Sequence, residues 1–359
     1  MLRPRTFVLA LLAGALGLLA ATMAVNFVLD PQYVFGTPLS REDDNANYRY
    51  HRLREYQVKR GEVDGLLFAS SRGKAFEPRL LAEKLGAGTA AKFDVTAGMI
   101  TDHLPALEYV LRDKVRRGEK IKAVLLLLDV DTFGKLPSTN VNIDSFLPPE
   151  ESGEHPARFW WRYLTVFQFR MWRGIMVYRW GLHREGKSAQ IALRRPVLAG
   201  IALPSLGSSA HPATRPVSDV PRARLLVATR PNMATHLDLV ARFVALCRAH
   251  GVALTVATTP MRLDAASLYD PADLRDVVER LSHVVPIWDF AAPPWLAGDT
   301  RYWDDRSHFK PEVAAMMLER MFGTGGPFDF GTLRDATKSL SHSAELLDSG
   351  DRPLMARKN

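Results

Sequence analysis

A run of six consecutive apolar residues, Ala123 to Leu128, most constrains what this chain can fold into. The run lacks the alternation of a half-exposed strand, so it is typical of a central parallel strand with both faces covered. Other strand patterns alternate with helical patterns along the chain, which favours an α/β fold with helices on both faces of a parallel sheet. We predict strands at 64–69, 92–95, 123–128, 252–258 and 284–288, and helices at 74–85, 103–117, 233–250, 271–282 and 311–321.

The N-terminus predicts a membrane anchor at 1–30. Arg3 and Arg5 precede an uncharged, largely apolar run from Phe7 to Leu29, which is long enough to span a hydrocarbon core of about 30 Å. A signal peptide typically has a shorter apolar region of about 7–15 residues and a small-residue cleavage site, and Thr22-Met23-Ala24 is a poor one, so an uncleaved anchor is favoured over a cleaved segment. The positive charge places the short N-terminal side in the cytoplasm. We therefore expect a single-pass protein of the inner membrane with its main domain extracytoplasmic, which is periplasmic in a Gram-negative cell.

Composition divides the remaining chain into segments. Residues 31–60 predict a stalk after the anchor, in which the polar stretch Ser40 to Lys59 is interpreted as a short helix or as stalk. Residues 61–325 predict the α/β domain. Clusters of Pro, Gly and Ser at 134–220 surround an aromatic-rich helical pattern, which indicates an insertion in that domain. The tail at 326–359 is polar and weakly patterned, so we expect it to be disordered.

The insertion is unusually rich in aromatic and arginine side chains. Aromatic faces beside arginines suit stacking on sugar rings or lying at a membrane interface, and an aromatic stripe packed on a core explains the pattern equally well. The arginines argue against a second membrane span. The aromatic residues are Phe159, Trp160, Trp161, Tyr163, Phe167, Phe169, Trp172, Tyr178 and Trp180, and the arginines are Arg158, Arg162, Arg170, Arg173 and Arg179.

Charge and cysteine content exclude several function classes. The net charge of +8 comes from scattered residues without a nucleic-acid-binding motif, so it indicates solubility and a nearby membrane rather than a nucleic-acid partner. The single cysteine, Cys247, cannot form a disulfide within the chain and lies in the apolar stripe of a predicted helix. It is interpreted as a small buried hydrophobe rather than a catalytic thiol. No Cys/His cluster has metal-ligand spacing, so we expect no metal.

A serine pair follows the first predicted strand. Ser70 and Ser71 stand at a strand-to-helix turn, and in an open parallel sheet function collects at the carboxyl ends of strands. A serine there exposes its hydroxyl near backbone N–H groups that can hold an oxyanion. Taken alone, the pair is also explained by helix capping.

An Asp-x-x-His motif, Asp305 to His308, precedes the last predicted helix. A serine hydroxyl is a weak nucleophile until an imidazole takes its proton, and the imidazole needs a carboxylate to fix its tautomer. One turn of this spacing supplies both groups. The short motif is also compatible with a polar helix cap, for which Asp304, Asp305 and Ser307 all qualify.

Together these motifs resemble the SGNH (GDSL-like) hydrolase superfamily, in which a serine near the start and Asp-x-x-His near the end form the triad. Within it, the chain is similar to a membrane-anchored branch that includes the D-alanine transfer protein of teichoic acids and the alginate O-acetylation proteins. The first motif there often reads Gly-Ser-Ser or Gly-Thr-Ser, which carries the nucleophile role onto Ser71 of Ala69-Ser70-Ser71. The resemblance covers 1–133 and 221–322 and implies a three-layer α/β/α domain.

The resemblance also suggests how an oxyanion would be held. Gly98 matches the second-motif glycine, whose backbone N–H would act with that of Ser71 as an oxyanion donor. The third motif, Gly-x-Asn-Asp, is not present, and Asp129-Val130-Asp131 stands at the end of the corresponding strand. A carboxylate cannot donate to an oxyanion as an asparagine amide does.

Three further residues are expected to bind substrate. Arg72 directly follows the serine pair, and Trp303 precedes the Asp-x-x-His motif. Arg262 follows a strand on the same side of the sheet, where it is expected either to bind an anionic sugar or to be solvated.

The favoured function is serine-dependent acyl transfer on a cell-envelope or exported polysaccharide, as an O-acetyltransferase or acetylesterase. Ser71 would attack the acyl carbonyl, His308 would act as general base and then acid, and Asp305 would orient His308. We expect no organic cofactor, and the resemblance implies a membrane-bound O-acyltransferase as partner. The alternative is a non-catalytic scaffold or glycan-binding protein, which Ala69 and Asp129 favour.

Overall fold

The computed structural model describes residues 4–37, 48–135, 147–169, 172–177, 228–323 and 329–336. The chain divides into two compact units. The anchor unit comprises Met1–Val58 and Ser138–Ala202, and the sheet unit comprises Lys59–Pro137 and Leu203–Asn359. The predicted insertion therefore groups mostly with the N-terminal segments rather than with the domain that it interrupts. Its Arg170, Tyr178, Arg179 and Trp180 lie outside the described residues.

The described part of the sheet unit contains one six-stranded sheet. Its strands are β1 Gly65–Ala69, β2 Ala90–Asp94, β3 Ala123–Leu128, β4 Ala253–Thr258, β5 Ile287–Asp289 and β6 Thr332–Arg334. Their spatial order is β2-β1-β3-β4-β5-β6, with β1 to β5 parallel and β6 antiparallel to β5. An order of 2-1-3-4-5 is doubly wound, and ligands bind such sheets at the carboxyl ends where the order reverses, here between β1 and β3.

The predicted helices are present with shifted ends, and the one expected at 74–85 is in two pieces. A 3-10 turn at Ser71–Ala75 comes first, and an α-helix begins at Pro78, where the Glu77 carboxylate accepts from the N–H of Leu80 at 2.6 Å. The longer helices are α1 Pro4–Leu29, α2 Tyr48–Lys59, α3 Pro78–Lys84, α4 Ile100–Arg116, α5 Pro156–Thr165, α6 Met233–Ala249, α7 Pro271–Val284 and α8 Pro311–Phe322. Single helical turns are Val130–Thr132, Pro149–Ser152, Leu263–Ala266, Pro294–Ala297 and Thr300–Tyr302.

Helices cover both faces of the sheet, as the apolar strands predict. Leu67 of β1 belongs to a buried cluster with Leu81 of α3 and Met317 of α8. The next residue, Phe68, points to the opposite face because strand side chains alternate, and its ring meets that of Phe243 on α6 edge-on at 5.4 Å. The sheet unit is therefore a three-layer α/β/α structure with two buried layers of side chains.

In the anchor unit, α1 is long and apolar enough to span a membrane, and it is the one helix of the described residues with that property. Most of its side chains are exposed, including nearly all of its large apolar ones. Thr22, Asn26 and Leu29 are buried, and their spacing puts them on one face of the last turns. That face is where α1 packs against α5 of the same unit.

The segment predicted as a stalk is packed rather than free. Asp30 ends α1 with φ of 42°, and its carboxylate accepts from the Val34 N–H at 2.8 Å and from the Tyr163 hydroxyl at 2.6 Å. Tyr50 of α2 stacks on Phe159 of α5, with ring centroids 5.8 Å apart. The helix interpretation of this stretch agrees with α2. A free stalk does not, because aromatic side chains of the insertion bury Val34 and Tyr50 in the described residues.

The expectation of a disordered tail is also wrong for part of its length. Residues 332–334 form β6, which pairs with β5, and the preceding Phe330 is fully buried beside Phe290 at 4.9 Å between ring centroids. Burial of Phe330 therefore holds this edge strand in place. The polar residues around Phe330 hide this apolar position when only the composition of the tail is considered. The tail beyond residue 336 lies outside the described residues.

Replacing Phe330 with alanine should lower the free energy of unfolding of the full chain by about 3–5 kcal/mol, because it leaves a cavity beside Phe290. Leu333→Ala on the same strand is the matched control, since Leu333 is 51% exposed, and its effect should stay within about 0.5 kcal/mol. Denaturant titration in detergent measures both. Equal effects of the two variants would contradict the assignment of β6 to the folded unit.

Candidate active site

The two serines after β1 have different environments. Ser70 is buried and is the N-cap of the 3-10 turn, and its Oγ accepts a hydrogen bond from the N–H of Arg72 at 3.3 Å. Ser71 is the first residue of that turn and is half-buried. Capping therefore accounts for Ser70 and leaves Ser71 as the serine whose hydroxyl is available for chemistry.

A glycine that sequence reasoning missed fixes the position of this turn. A Cβ added at Gly73 would lie 2.6 Å from the Cβ of Ala69 and 2.8 Å from the Cβ of Asp94. The turn thus lies directly against the ends of β1 and β2, an approach that only glycine permits. A glycine two residues after Ser71 could have indicated in the sequence that this turn packs closely against the strand ends.

Asp305 and His308 lie on a tight loop. The Asp305 Oδ1 accepts from the backbone N–H of Ser307 at 2.6 Å and of His308 at 2.9 Å, and Oδ2 lies 2.7 Å from His308 Nδ1. Burial raises the pKa of Asp305, but the hydrogen bonds from Ser307 and His308 outweigh it and leave that pKa below its ordinary value. An ionised carboxylate only accepts hydrogen bonds, so the contact favours the neutral tautomer of His308 that carries its proton on Nδ1 and presents Nε2 as an acceptor.

The structure brings Ser71 and His308 together across 237 residues of sequence. Ser71 Oγ lies 2.8 Å from His308 Nε2, which is within the hydrogen-bond reach of about 2.6–3.2 Å that a nucleophile and its base require. The side chain of His308 is 37% exposed and that of Asp305 is 58% exposed, so the hydrogen-bonded chain is open to solvent. The arrangement is chemically competent to activate a hydroxyl toward an accessible carbonyl.

Trp303 is not a substrate-binding residue. It is buried in the core of the sheet unit, and its indole N–H donates to the Leu296 carbonyl at 2.9 Å. It forms an isolated antiparallel bridge with Phe309, which is also buried. This pair of core aromatics closes the base of the Asp305–His308 loop, so the prediction for Trp303 is wrong because its ring faces inward.

Arg72 is likewise not a substrate-binding residue, since its side chain is only 8% exposed and its hydrogen bonds and ion pairs are made with other groups of the protein. Its Nε donates to the Ser307 carbonyl at 3.0 Å, and one terminal nitrogen lies 2.9 Å from Asp129 and 3.3 Å from Asp131. The same nitrogen donates to the Thr259 hydroxyl at 3.0 Å. Arg72 thus joins the serine turn to the histidine loop.

Carboxylates at the end of β3 hold this arginine in its charged form. Burial lowers the pKa of Arg72, but Asp129 and Asp131 outweigh it and raise that pKa. Burial raises the pKa of Asp131, but the charges of Arg72 and Lys135 outweigh it and lower that pKa. Tyr269 donates to Asp131 at 3.3 Å, and burial, followed by the Asp131 charge, raises the pKa of Tyr269 to about 12.

The prediction that the Gly98 N–H donates to an oxyanion is wrong, because that N–H already has an acceptor. Its N–H donates to the Val95 carbonyl at 3.0 Å within a turn, and Ala97 adopts a φ of 50° in that turn. A Cβ at Gly98 would lie 2.4 Å from a Val95 methyl and 3.0 Å from His103, so close packing is the reason for this glycine. The N–H of Ser71, as the first residue of its turn, has no acceptor within that turn and stays the predicted donor.

Arg262 lies in a cluster of charges beside the histidine loop. Its guanidinium makes two hydrogen bonds to the Asp264 carboxylate, at 2.7 and 2.6 Å, which raise the pKa of Arg262. Arg306, which the sequence reasoning did not select, donates to the Asp264 carbonyl at 2.8 Å. The Arg262 guanidinium is thus already paired with Asp264. A role of Arg262 in binding substrate stays a prediction.

The described part of the chain offers neither a reactive thiol nor a metal-binding cluster. Burial raises the pKa of the Cys247 thiol to about 12, which leaves it protonated and unreactive. The described residues contain no group of three His, Cys, Asp or Glu side chains that could hold a metal ion.

Comparison of the sequence with known proteins found no matching family model and no matching curated protein. The interpretation of the site therefore depends on its own geometry.

The Arg72–Asp131 contact predicts a specific pH dependence. The pKa of Asp131 is lowered on folding, so its stabilising effect is present above its unfolded pKa of about 3.9 and is lost as pH falls through the lower folded value. Asp131→Asn should lower the unfolding free energy at pH 7 by about 1–3 kcal/mol, since Asp129 still neutralises Arg72. Between pH 5 and 3 the variant should lose less stability than the wild type.

Thermal and denaturant unfolding in detergent across this pH range measures the effect. Glu279→Gln is the control, because Glu279 is 69% exposed on α7 and should leave the pH profile unchanged. An Asp131→Asn profile parallel to that of the wild type would contradict a role for the ionised Asp131.

Proposed function

We propose that this chain is an SGNH-like serine enzyme that transfers acyl groups on a cell-envelope or exported polysaccharide, with Ser71 as nucleophile. One observation carries the proposal: an unbroken hydrogen-bonded chain runs from Ser71 Oγ through His308 to the Asp305 carboxylate, at 2.8 and 2.7 Å. Three side chains in this order constitute a nucleophile, a base and a group that orients the base. All three are at least partly exposed, so an ester can reach them.

The chemistry follows from the roles of these atoms. His308 Nε2 removes the Ser71 proton as Oγ attacks the acyl carbonyl, and the ionised Asp305 stabilises the imidazolium that forms. His308 then gives the proton to the leaving oxygen, which produces an acyl-serine. A polysaccharide hydroxyl or water, deprotonated by His308, attacks this ester and releases Ser71. A hydroxyl acceptor gives O-acyl transfer, and water gives esterase activity.

The polysaccharide substrate and the O-acetyl group come from the resemblance of the motifs to the membrane-anchored branch. The apolar α1 supports placement of the protein at a membrane, and Arg3 and Arg5 support an extracytoplasmic sheet unit. The same resemblance implies a membrane-bound O-acyltransferase partner, which would deliver the acyl group.

A second candidate function is a non-catalytic scaffold or glycan-binding protein with the same fold. Two observations favour it: the Gly98 N–H is used within its own turn, and the Asp129 carboxylate is locked to Arg72 and Thr259. Neither group can stabilise an oxyanion as it stands, and such donors contribute a factor of about 10²–10³ to kcat. A test of covalent reactivity at Ser71 separates the two functions.

A fluorophosphonate probe should label the full-length chain in detergent, because it needs only an activated serine. Ser71→Ala should abolish labelling, and His308→Ala should slow it by about 10²–10⁴-fold. Asp305→Asn should be impaired to a smaller degree. Ser70→Ala is the matched control from the same motif, and it should label normally because Ser70 only caps the turn.

Labelling that survives in Ser71→Ala would exclude Ser71 as the nucleophile. A wild-type chain without labelling would favour the scaffold function instead. The substrate class is tested separately by glycan acylation in cells that carry each variant at equal protein level. Normal acylation with both Ser71→Ala and His308→Ala would contradict the proposed enzyme.

A further inference from the structure

The anchor unit exposes a group of apolar side chains that no part of the proposed chemistry uses. Between residues 166 and 177, Phe167 and Phe169 are 65% and 59% exposed, and the helical stretch 172–177 exposes Met176 and Val177. Gln168 between the two phenylalanines is buried, so the polar residue faces inward and the aromatic ones face outward. This is the reverse of a water-facing surface.

Hydrogen bonds hold this segment against the last turn of α1. Asn26 donates through Nδ2 to the carbonyls of Leu164 at 2.7 Å and Val166 at 2.8 Å. Its Oδ1 accepts from the Trp172 indole at 2.8 Å and from Gln168 at 3.3 Å. All the hydrogen-bonding capacity of the Asn26 amide is thus used, and in a site without competing water such bonds are strong.

The exposed rings form a continuous surface beside α1. The Phe167 ring lies edge-on to Trp172 at 4.7 Å and parallel to Phe169 at 6.3 Å. Phe27 and Val28, the residues after Asn26, are more than half exposed as well. The apolar surface of α1 therefore continues onto the segment that Asn26 holds.

The depth of the segment can be estimated from the helix. The apolar run from Phe7 to Leu29 is about 35 Å long at about 1.5 Å per residue, against a hydrocarbon core of about 30 Å. Asn26 is about 5 Å from the end of that run, so residues bonded to it lie near the boundary between acyl chains and headgroups. Interfacial segments bury their apolar face about 5–10 Å into that boundary, and aromatic residues are enriched there.

We propose that the stretches 166–169 and 172–177 lie in the membrane interface beside α1 and form a second contact of the protein with lipid. Phe167, Phe169, Met176 and Val177 insert among the upper acyl chains of the leaflet where α1 ends. Arg173, which is exposed on the same helical stretch, supplies a charge for lipid phosphates. The proposal does not depend on catalysis at Ser71.

Depth-dependent quenching tests this in the full-length chain. Cys247 is the sole cysteine, so Cys247→Ala provides a background in which Phe167→Cys and Phe169→Cys are each labelled with an environment-sensitive fluorophore. One protein per phosphatidylcholine/phosphatidylglycerol nanodisc excludes contact with a second copy, and purified protein excludes a partner. The nanodiscs contain lipids with a nitroxide either near the carbonyls or near the acyl-chain ends.

Two other labelled positions calibrate the measurement. Leu16→Cys reports the middle of α1, and Val58→Cys is the matched water control, since Val58 is an apolar residue that is 85% exposed among the charges of α2. The labels at 167 and 169 should be quenched by the shallow nitroxide at least threefold more than the label at 58. The deep nitroxide should quench the label at 16 most.

Labels at 167 and 169 that behave like the label at 58 with both lipids would overturn the proposal and would mean that protein or water covers this surface. A label at 16 that neither lipid quenches would overturn it too, because the argument requires α1 to span the bilayer.

Discussion

The candidate site depends on one buried guanidinium. Arg72 occupies the space between the ends of three parallel strands and the histidine loop, and a charge there is stable only with carboxylates close by. Asp129 and Asp131 supply them from the end of β3. The remaining Nε–H holds the Ser307 carbonyl at 3.0 Å, one residue before His308. This ion pair therefore helps to position Ser71 relative to His308, although neither residue is part of it.

The pairing of Arg72 with Asp129 and Asp131 limits the chemistry of the site as well as supporting it. Asp129 accepts from Thr259 at 2.6 Å and pairs with Arg72, so its carboxylate oxygens serve as acceptors and are not available as donors. An asparagine at that point would serve an oxyanion but would leave Arg72 with less compensation. In the proposed enzyme, the stability of the charged cluster and the stabilisation of an oxyanion would therefore place opposite demands on residue 129. The backbone N–H of Ser71 would then carry a larger share of the stabilisation of the oxyanion.

The sequence predicted those features that follow from periodicity and chain order. The run Ala123–Leu128 is the central strand at its predicted bounds. The Ser71 and His308 motifs meet just beyond the carboxyl end of β1, on the side of a parallel sheet where functional groups collect. The direction of single side chains was not predictable. Arg72 and Trp303 adjoin the motifs in sequence, yet both point inward, since their partners come from other strands and turns. Gly98 shows the same limit, because a packing glycine and an oxyanion glycine look identical in sequence.

The anchor unit bears on whether the N-terminal segment is retained. A cleavable signal segment leaves the folded protein, so the fold has no use for its side chains. Here Thr22 and Asn26 are buried on one face of α1, and Asn26 makes hydrogen bonds to residues about 140 positions away. Cleavage near Val25 would remove the helix that positions Asn26 and would expose the backbone that it satisfies. The tertiary contacts of α1 therefore support an uncleaved anchor more strongly than the length of its apolar run, because a long run alone is compatible with removal.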